Sequence, residues 1–366
     1  VVFFKIEAAE MAEKVLAAMS GGVDSAAAAL ILKREGYDVA GVTMRLYDAR
    51  PASARSCCAP AALVEAAALA RRIGIPHYVL DFREDFRRAV VDDFVAEYAR
   101  GRTPNPCIRC NAVVKFERLL ALARAMGFGK IATGHYVRRA YDVARSSPTL
   151  RRAADKNKDQ SYFLWATPRA NLDDILFPVG GLLKSEVRDL LAEAAPAARD
   201  MPESQDICFI EDGSYADFVA RAGAGRDEGP IVDGEGRELG RHKGLARYTV
   251  GQRRGLGVAA GERMYVKNID VAANTVVLAR GSALAASTFT VDRANWLVAP
   301  PPESARATVA VRYRDPGAPA ALRRADERTW EVTFDAPRRA IAPGQSAVFY
   351  DGDVLLGGGV IDEVAA

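Results

Sequence analysis

Residues 14–36 pass through three textures in a row: a short apolar stretch, a turn with paired glycines (Gly21, Gly22), and an alanine- and leucine-rich segment that stops at Gly36. That order predicts strand, tight turn and helix, with Gly36 ending the helix. The pattern then repeats. Residues 38–44, 77–81 and 130–133 read as strands, and residues 61–73, 85–100 and 111–126 as helices. Strands alternating with helices of this length predict an α/β fold with a parallel sheet covered on both faces. After about Glu203 glycine-rich turns separate short segments, and from Ser287 onward only strand-like runs remain, residues 308–313 among them, which predicts a small β-barrel. The expected divisions are residues 1–205, 206–285 and 286–366.

The chain has 366 residues, 49% of them hydrophobic and 27% charged, which suffices for two or three cores and excludes disordered and fibrous classes. No apolar run approaches the ~18 residues of a membrane helix. The apolar opening Val1 to Phe4 is too short for a secretory leader and lacks a basic start, so the expectation is a cytoplasmic protein with no membrane partner. Five cysteines are an odd number in so long a chain, which favours metal, redox or nucleophilic chemistry over a disulfide scaffold. Net charge is +3, yet residues 101–160 carry 13 Lys and Arg against 4 Asp and Glu. Such a concentration fits a polyanion site or a solvated basic helix face.

A helix N-terminus leaves backbone N–H groups unpaired, so a turn that lets the backbone come close makes a phosphate site. The turn lacks the lysine of G-x-x-x-x-G-K-[ST] and has too few glycines for G-x-G-x-x-G. "SGGVDS" (residues 20–25) instead resembles the pyrophosphate loop of ATP-dependent adenylating enzymes. That resemblance implies that ATP is cut between its α and β phosphates, that Ala18, Met19, Ser20, Gly21, Gly22, Val23, Asp24 and Ser25 bind it, and that Asp24 helps to place Mg2+. It also places Met44 along adenine and Gly134 close to the nucleotide, both at carboxyl ends of strands, where open α/β sheets bind ligands. His135, next to Gly134, fits a phosphate contact or a loop cap.

Further stretches, "TPNPCIRCNAVVKF", "ATGHYVRR", "NKDQSYFLW", "SQDICFI" and "YTVGQRRGLGV", lie in the order and spacing of the tRNA-specific 2-thiouridylase family, which the chain resembles along nearly its whole length. The resemblance implies an adenine nucleotide alpha hydrolase-like domain, a small central domain and a tRNA-contacting β-barrel. The implied reaction is ATP-dependent 2-thiolation of the wobble uridine in lysine, glutamate and glutamine tRNAs, with persulfide sulfur from a cysteine desulfurase or a sulfur-relay protein. Replacing a carbonyl oxygen by sulfur requires making that oxygen a leaving group, which adenylylation does. A persulfide then delivers sulfur, and a second cysteine frees it by attacking the inner sulfur, leaving a disulfide. The chemistry therefore needs two cysteines, expected on loops that can meet.

By resemblance Cys110 is the nucleophile and Cys208 the persulfide carrier. Cys110 follows a proline-bracketed turn and precedes the helix expected from Asn111, whose field would lower a thiol pKa. Asn105, Pro106 and Cys107 mark the place of the target base, although many relatives carry aspartate where this chain has Cys107. Lys158, Asp159, Gln160, Arg312 and Tyr313 match tRNA-contacting positions. Arg138, Arg139, Arg151 and Arg152 are expected to hold phosphates beside the reacting base. Cys107 and Cys110 with Cys208 also form a set that an iron–sulfur cluster can use, a less favoured reading, and Cys57 and Cys58 are expected to be structural. The alternatives are an adenylating enzyme acting on a small molecule and a noncatalytic RNA-binding scaffold.

Overall fold

The computed structural model describes residues 12–48, 60–143, 145–201, 207–210, 215–223, 228–258 and 261–365; Cys57 and Cys58 lie outside them. The first sheet begins with β1 (Lys14–Ala18), followed by helix α1 (Val23–Arg34), β2 (Asp38–Arg45), helix α2 (Pro60–Ile73) and β3 (His77–Asp81). After two composite helices comes β4 (Lys130–Ala132). The hairpin β5 (Val137–Asp142) and β6 (Ser147–Arg152) then leaves this sheet, and the chain returns to it with β7 (Ile175–Leu176). The order is β3-β2-β1-β4-β7, with every pair parallel. Along β1 the pleat sends Leu16 into one core and Val15 and Ala17 into another. Both faces are therefore covered, which is what parallel sheets require.

The helix expected over residues 111–126 begins earlier, at Pro106. It runs through Pro106–Arg109, a π-wound stretch Cys110–Leu119 and Leu120–Ala125. Asn105 caps it with its side chain and Pro106 takes the first position, where a missing N–H costs nothing. Cys110 is thus inside a helix and buried, which corrects both its expected loop and the expected action of the helix field on it. That field fades within the first turn, where Cys107 sits.

The central unit is a four-stranded sheet of β8 (Gly229–Val232), β9 (Glu238–His242), β10 (Met264–Asp270) and β11 (Thr275–Arg280), in the order β10-β11-β8-β9. The last unit has six antiparallel strands: β12 (Ala285–Trp296), β13 (Ser304–Ala310), β14 (Ala318–Arg324), β15 (Trp330–Arg339), β16 (Ser346–Asp351) and β17 (Val354–Val364). Pairing of β12 with β17 closes them into a barrel around Phe289, Trp330 and Phe349. The strand expected over residues 308–313 stops at Ala310, so Arg312 and Tyr313 lie in a turn.

The sequence reading did not anticipate where the β5–β6 hairpin goes. Val354 and Leu355 of β17 pair with Arg151 and Leu150 of β6, so the hairpin extends the barrel's sheet. Among the described residues no helix is long and apolar enough to cross a membrane.

Candidate active site

In the first sheet the chain moves outward from β1 on one side to β2 and on the other to β4, so the crevice at the carboxyl ends of β1 and β4 is the topological switch point. The glycine turn sits there. Gly21 has φ +79°, and a Cβ on it would lie 2.7 Å from the Ala62 carbonyl oxygen. Gly22 is the N-cap of α1 but supplies no side-chain acceptor, so the first N–H groups of α1 keep their anion-binding capacity. Ser25 Oγ accepts from the Ser20 N–H at 3.1 Å and donates to the Gly22 carbonyl at 3.0 Å, which fixes the turn from inside. Gly134, just past β4, presses on the same helix start: its Cβ would stand 2.5 Å from the Asp24 carbonyl carbon and 2.6 Å from the Ser25 nitrogen. Ala18 ends β1, Met19 and Val23 flank the turn in the core, and Met44 is buried near the end of β2.

Two residues at this turn escaped the sequence reading. Lys184 Nζ, nearly buried at the start of the helix Lys184–Ala194, donates to Asp24 Oδ1 at 2.5 Å, and Tyr136 OH donates to the same oxygen at 2.8 Å. Lys184 lies 160 residues from Asp24 in sequence, so no local pattern could reveal the pair. Magnesium bound mainly through substrate phosphates needs only one or two carboxylates. Asp24 fits as a single ligand through Oδ2, for which no hydrogen-bond or ion-pair partner is found among the described residues. Behind the turn, Thr43 Oγ1 donates to the Met19 carbonyl at 2.9 Å and meets His77 Nε2 at 2.8 Å.

The helix that begins at Pro106 faces this crevice. Its Phe116 ring lies 5.9 Å from the His135 ring, which is also 6.3 Å from Phe177 and bonded through Nδ1 to Thr133 Oγ1 at 2.8 Å. Burial, with Lys115's charge in support, pushes His135 well below its ordinary range, so the ring is neutral at pH 7. The loop before this helix is clasped by the barrel. Thr103 N–H donates to the Pro343 carbonyl at 2.9 Å, Gln345 Nε2 donates to the Thr103 carbonyl at 2.7 Å, and Arg102 pairs with Asp362 and the buried Glu97.

Asn105 Oδ1 accepts from the Cys107 N–H at 3.2 Å. The Cys107 residue is exposed as a whole, yet its thiol is desolvated by surrounding protein; that burial raises its pKa, with Lys115 pulling the other way. None of Cys107, Cys110 and Cys208 is in a disulfide. Cys110 is part of the main core cluster, and Ile207, Cys208 and Ile210 pack against that same cluster. Tyr47 OH donates to the Cys208 carbonyl. Beside this loop opens a cavity of about 410 Å³, whose lining includes Tyr47, Arg83, Phe209 and Arg221. Among the described residues no three His, Cys, Asp or Glu side chains gather as a metal site, so the three thiols do not fit an iron–sulfur cluster.

Several expected tRNA contacts have internal partners. Asp159 accepts from the Ala153 and Ser161 N–H groups, from Ser161 Oγ and from Arg152. Gln160 Oε1 accepts from the Tyr136 N–H. Arg138, Arg139, Arg151 and Arg152 are all ion-paired, which absorbs much of the basic excess of residues 101–160. Arg312 is exposed, while Tyr313 packs against Phe163 with ring centroids 4.6 Å apart.

Comparison with known proteins covers the whole described architecture. Residues 13–212 match a model described as tRNA methyl transferase HUP domain, residues 216–280 a tRNA methyl transferase PRC-barrel domain, and residues 286–361 an aminomethyltransferase beta-barrel domain. Among curated relatives, the tRNA-specific 2-thiouridylase MnmA of Magnetococcus marinus is 44% identical over 95% of this chain and 99% of its own length. That of Rhodospirillum centenum is 46% identical over 95% and 91%, and that of Chloroflexus aurantiacus 46% over 95% and 98%.

Proposed function

The chain belongs to the tRNA-specific 2-thiouridylase family and is a tRNA sulfurtransferase, and from that premise we propose how its own residues carry the reaction. ATP binds at the switch-point crevice, its phosphates on the open start of α1 and its adenine along Met44. The C2 oxygen of the wobble uridine attacks the α phosphate and pyrophosphate leaves. Lys184, held ready on Asp24, turns to the departing pyrophosphate. Magnesium bound with ATP supplies charge neutralisation at Asp24. Sulfur arrives as a persulfide on Cys208; its terminal sulfur bonds to C2, AMP departs with the oxygen, and the Cys110 thiolate attacks Cys208 Sγ, breaking the S–S bond and leaving a Cys110–Cys208 disulfide. An external thiol reductant resets the pair.

The observation that carries this reading is the contact of Phe116 with His135, which joins the helix bearing Cys110 to the strand end beside the nucleotide turn. Adenylylation and sulfur attack then occur in one crevice. Packing of Cys208 against the core cluster that contains Cys110 supports their pairing, and the cavity beside Cys208 supports approach by a desulfurase or relay protein. Asn105, Pro106 and Cys107, at the exposed start of the helix, receive the flipped base. Lys158, Arg312 and Tyr313 hold the surrounding tRNA, with Asp159 and Gln160 shaping the loop that presents Lys158.

The test is nucleoside mass spectrometry of unmodified lysine, glutamate and glutamine tRNAs incubated with protein, ATP, magnesium and a persulfide donor. The expected result is ATP-dependent 2-thiouridine that disappears in Cys110→Ser and in Cys208→Ser. No sulfur gain by protein that binds both ATP and tRNA overturns the reading in favour of a noncatalytic scaffold. Turnover that survives both substitutions overturns the roles of the cysteines.

A further inference from the structure

Lys115 is half-buried, and among the described residues it has no carboxylate partner. A partly desolvated ammonium without a counter-charge is costly unless an anion forms beside it. Its one hydrogen bond is to Asn111 Oδ1, at 2.9 Å. Asn111 is itself buried and anchored by its Nδ2, which donates to the Phe163 carbonyl at 3.3 Å. The amide therefore aims the lysine.

The winding of the helix decides where that charge falls. Cys110–Leu119 is π-wound, bonded i→i+5, so the residue five positions beyond Cys110 stands one turn above it. In ordinary α winding the fifth residue is rotated by about 140°, towards the far flank. The π stretch thus gathers Cys107, Cys110 and Lys115 on one side of the helix. The reach of the charge is visible in two neighbours: it lowers the proton affinity of the Cys107 thiol and of the His135 ring. His135 is held neutral, so it does not compete as a cation.

Building on the proposed sulfur-transfer reading, we infer that Lys115 is the cation that holds Cys110 as a thiolate, brought over the cysteine by the π-wound segment. In the step it serves, the Cys110 S–H gives its proton to solvent, Lys115 stays charged beside the sulfur anion, and the anion attacks the inner sulfur of the persulfide. A thiolate beside a fixed ammonium is a nucleophile at neutral pH, where an isolated buried thiol is not. Lys115 acts through Cys110, as a positioning charge.

The test reads the thiol itself. The rate of iodoacetamide labelling of Cys107 and of Cys110, each followed by peptide mass spectrometry, is measured from pH 5.5 to 9.5 in the full chain and in Lys115→Met and Lys115→Arg. The expected result is that Cys110 labelling at pH 7 slows about tenfold in Lys115→Met, its profile moving to higher pH, and is restored in Lys115→Arg. Circular dichroism and thermal melting establish that the variants are folded; if Lys115→Met does not fold, Lys115→Gln replaces it. An unchanged Cys110 profile in a folded variant overturns the inference, as does a shift confined to Cys107. Because neither tRNA nor ATP is present, a failure of the thiolation reading registers separately, in the nucleoside assay.

Discussion

Two helix starts face the crevice, and they are built in opposite ways. The helix after the glycine turn begins at Gly22 with no side-chain cap, whereas the cysteine helix begins at Pro106 with Asn105 accepting the Cys107 N–H. An uncapped start offers its N–H groups to an incoming anion; a capped start has already spent one. The difference teaches that a helix N-terminus is an anion site only while it is left open. Where the cysteine helix needs positive charge further along, a side chain, Lys115, provides it.

The contrast can be broken most severely at Gly134. Gly134→Ala drives a methyl into the Asp24–Ser25 backbone at the open start, with an expected cost of about 1–3 kcal/mol in stability and loss of ATP binding by calorimetry. Labelling of Cys107, at the capped start, should be unaffected. Converting the open start into a capped one is the sharper test. Gly22 has φ −93°, which other residues adopt, and its Cβ would meet only Ser20 Oγ at 3.4 Å. Gly22→Asn should therefore fold with stability changed by a few tenths of a kcal/mol, yet bind ATP about tenfold more weakly as one N–H is withdrawn. Weaker binding without loss of stability is the signature to look for.

The reverse change, Asn105→Ala, opens the capped start and should cost about 1 kcal/mol in urea unfolding without altering ATP affinity. The smallest effect concerns His135, between the two helices. Its folded pKa lies well below the unfolded value of about 6.5, so below that pH the unfolded chain binds more protons. Stability is then lost as pH falls beneath about 6.5, and His135→Phe should flatten that slope. His77, depressed by burial in the same direction, should leave part of it in place.

The open helix start was legible in the sequence because everything that makes it is local: an apolar run, two glycines and a helix former within one turn. The capped start was equally local, since Asn105-Pro106 is an N-cap followed by a proline at the first helical position, but the helix was expected to start later, at Asn111. What no local pattern carries is long-range pairing. Lys184 on Asp24, the clasp of Thr103 by Pro343 and Gln345, and the arginines neutralised across the fold depend on residues far apart in sequence. The π winding is hidden for another reason: residues 110–119 show helical composition, and composition does not distinguish i→i+4 from i→i+5 bonding.

The hairpin of β5 and β6, lent by the first unit to the barrel's sheet, bears on how such a chain can be recombined. An exchange of barrels between relatives at residue 286 would cut no strand, yet the incoming barrel would meet residues 147–152 of another protein along its edge. Inheritance of the barrel is therefore tied to inheritance of a segment some 135 residues upstream. A working chimaera must carry the two pieces together.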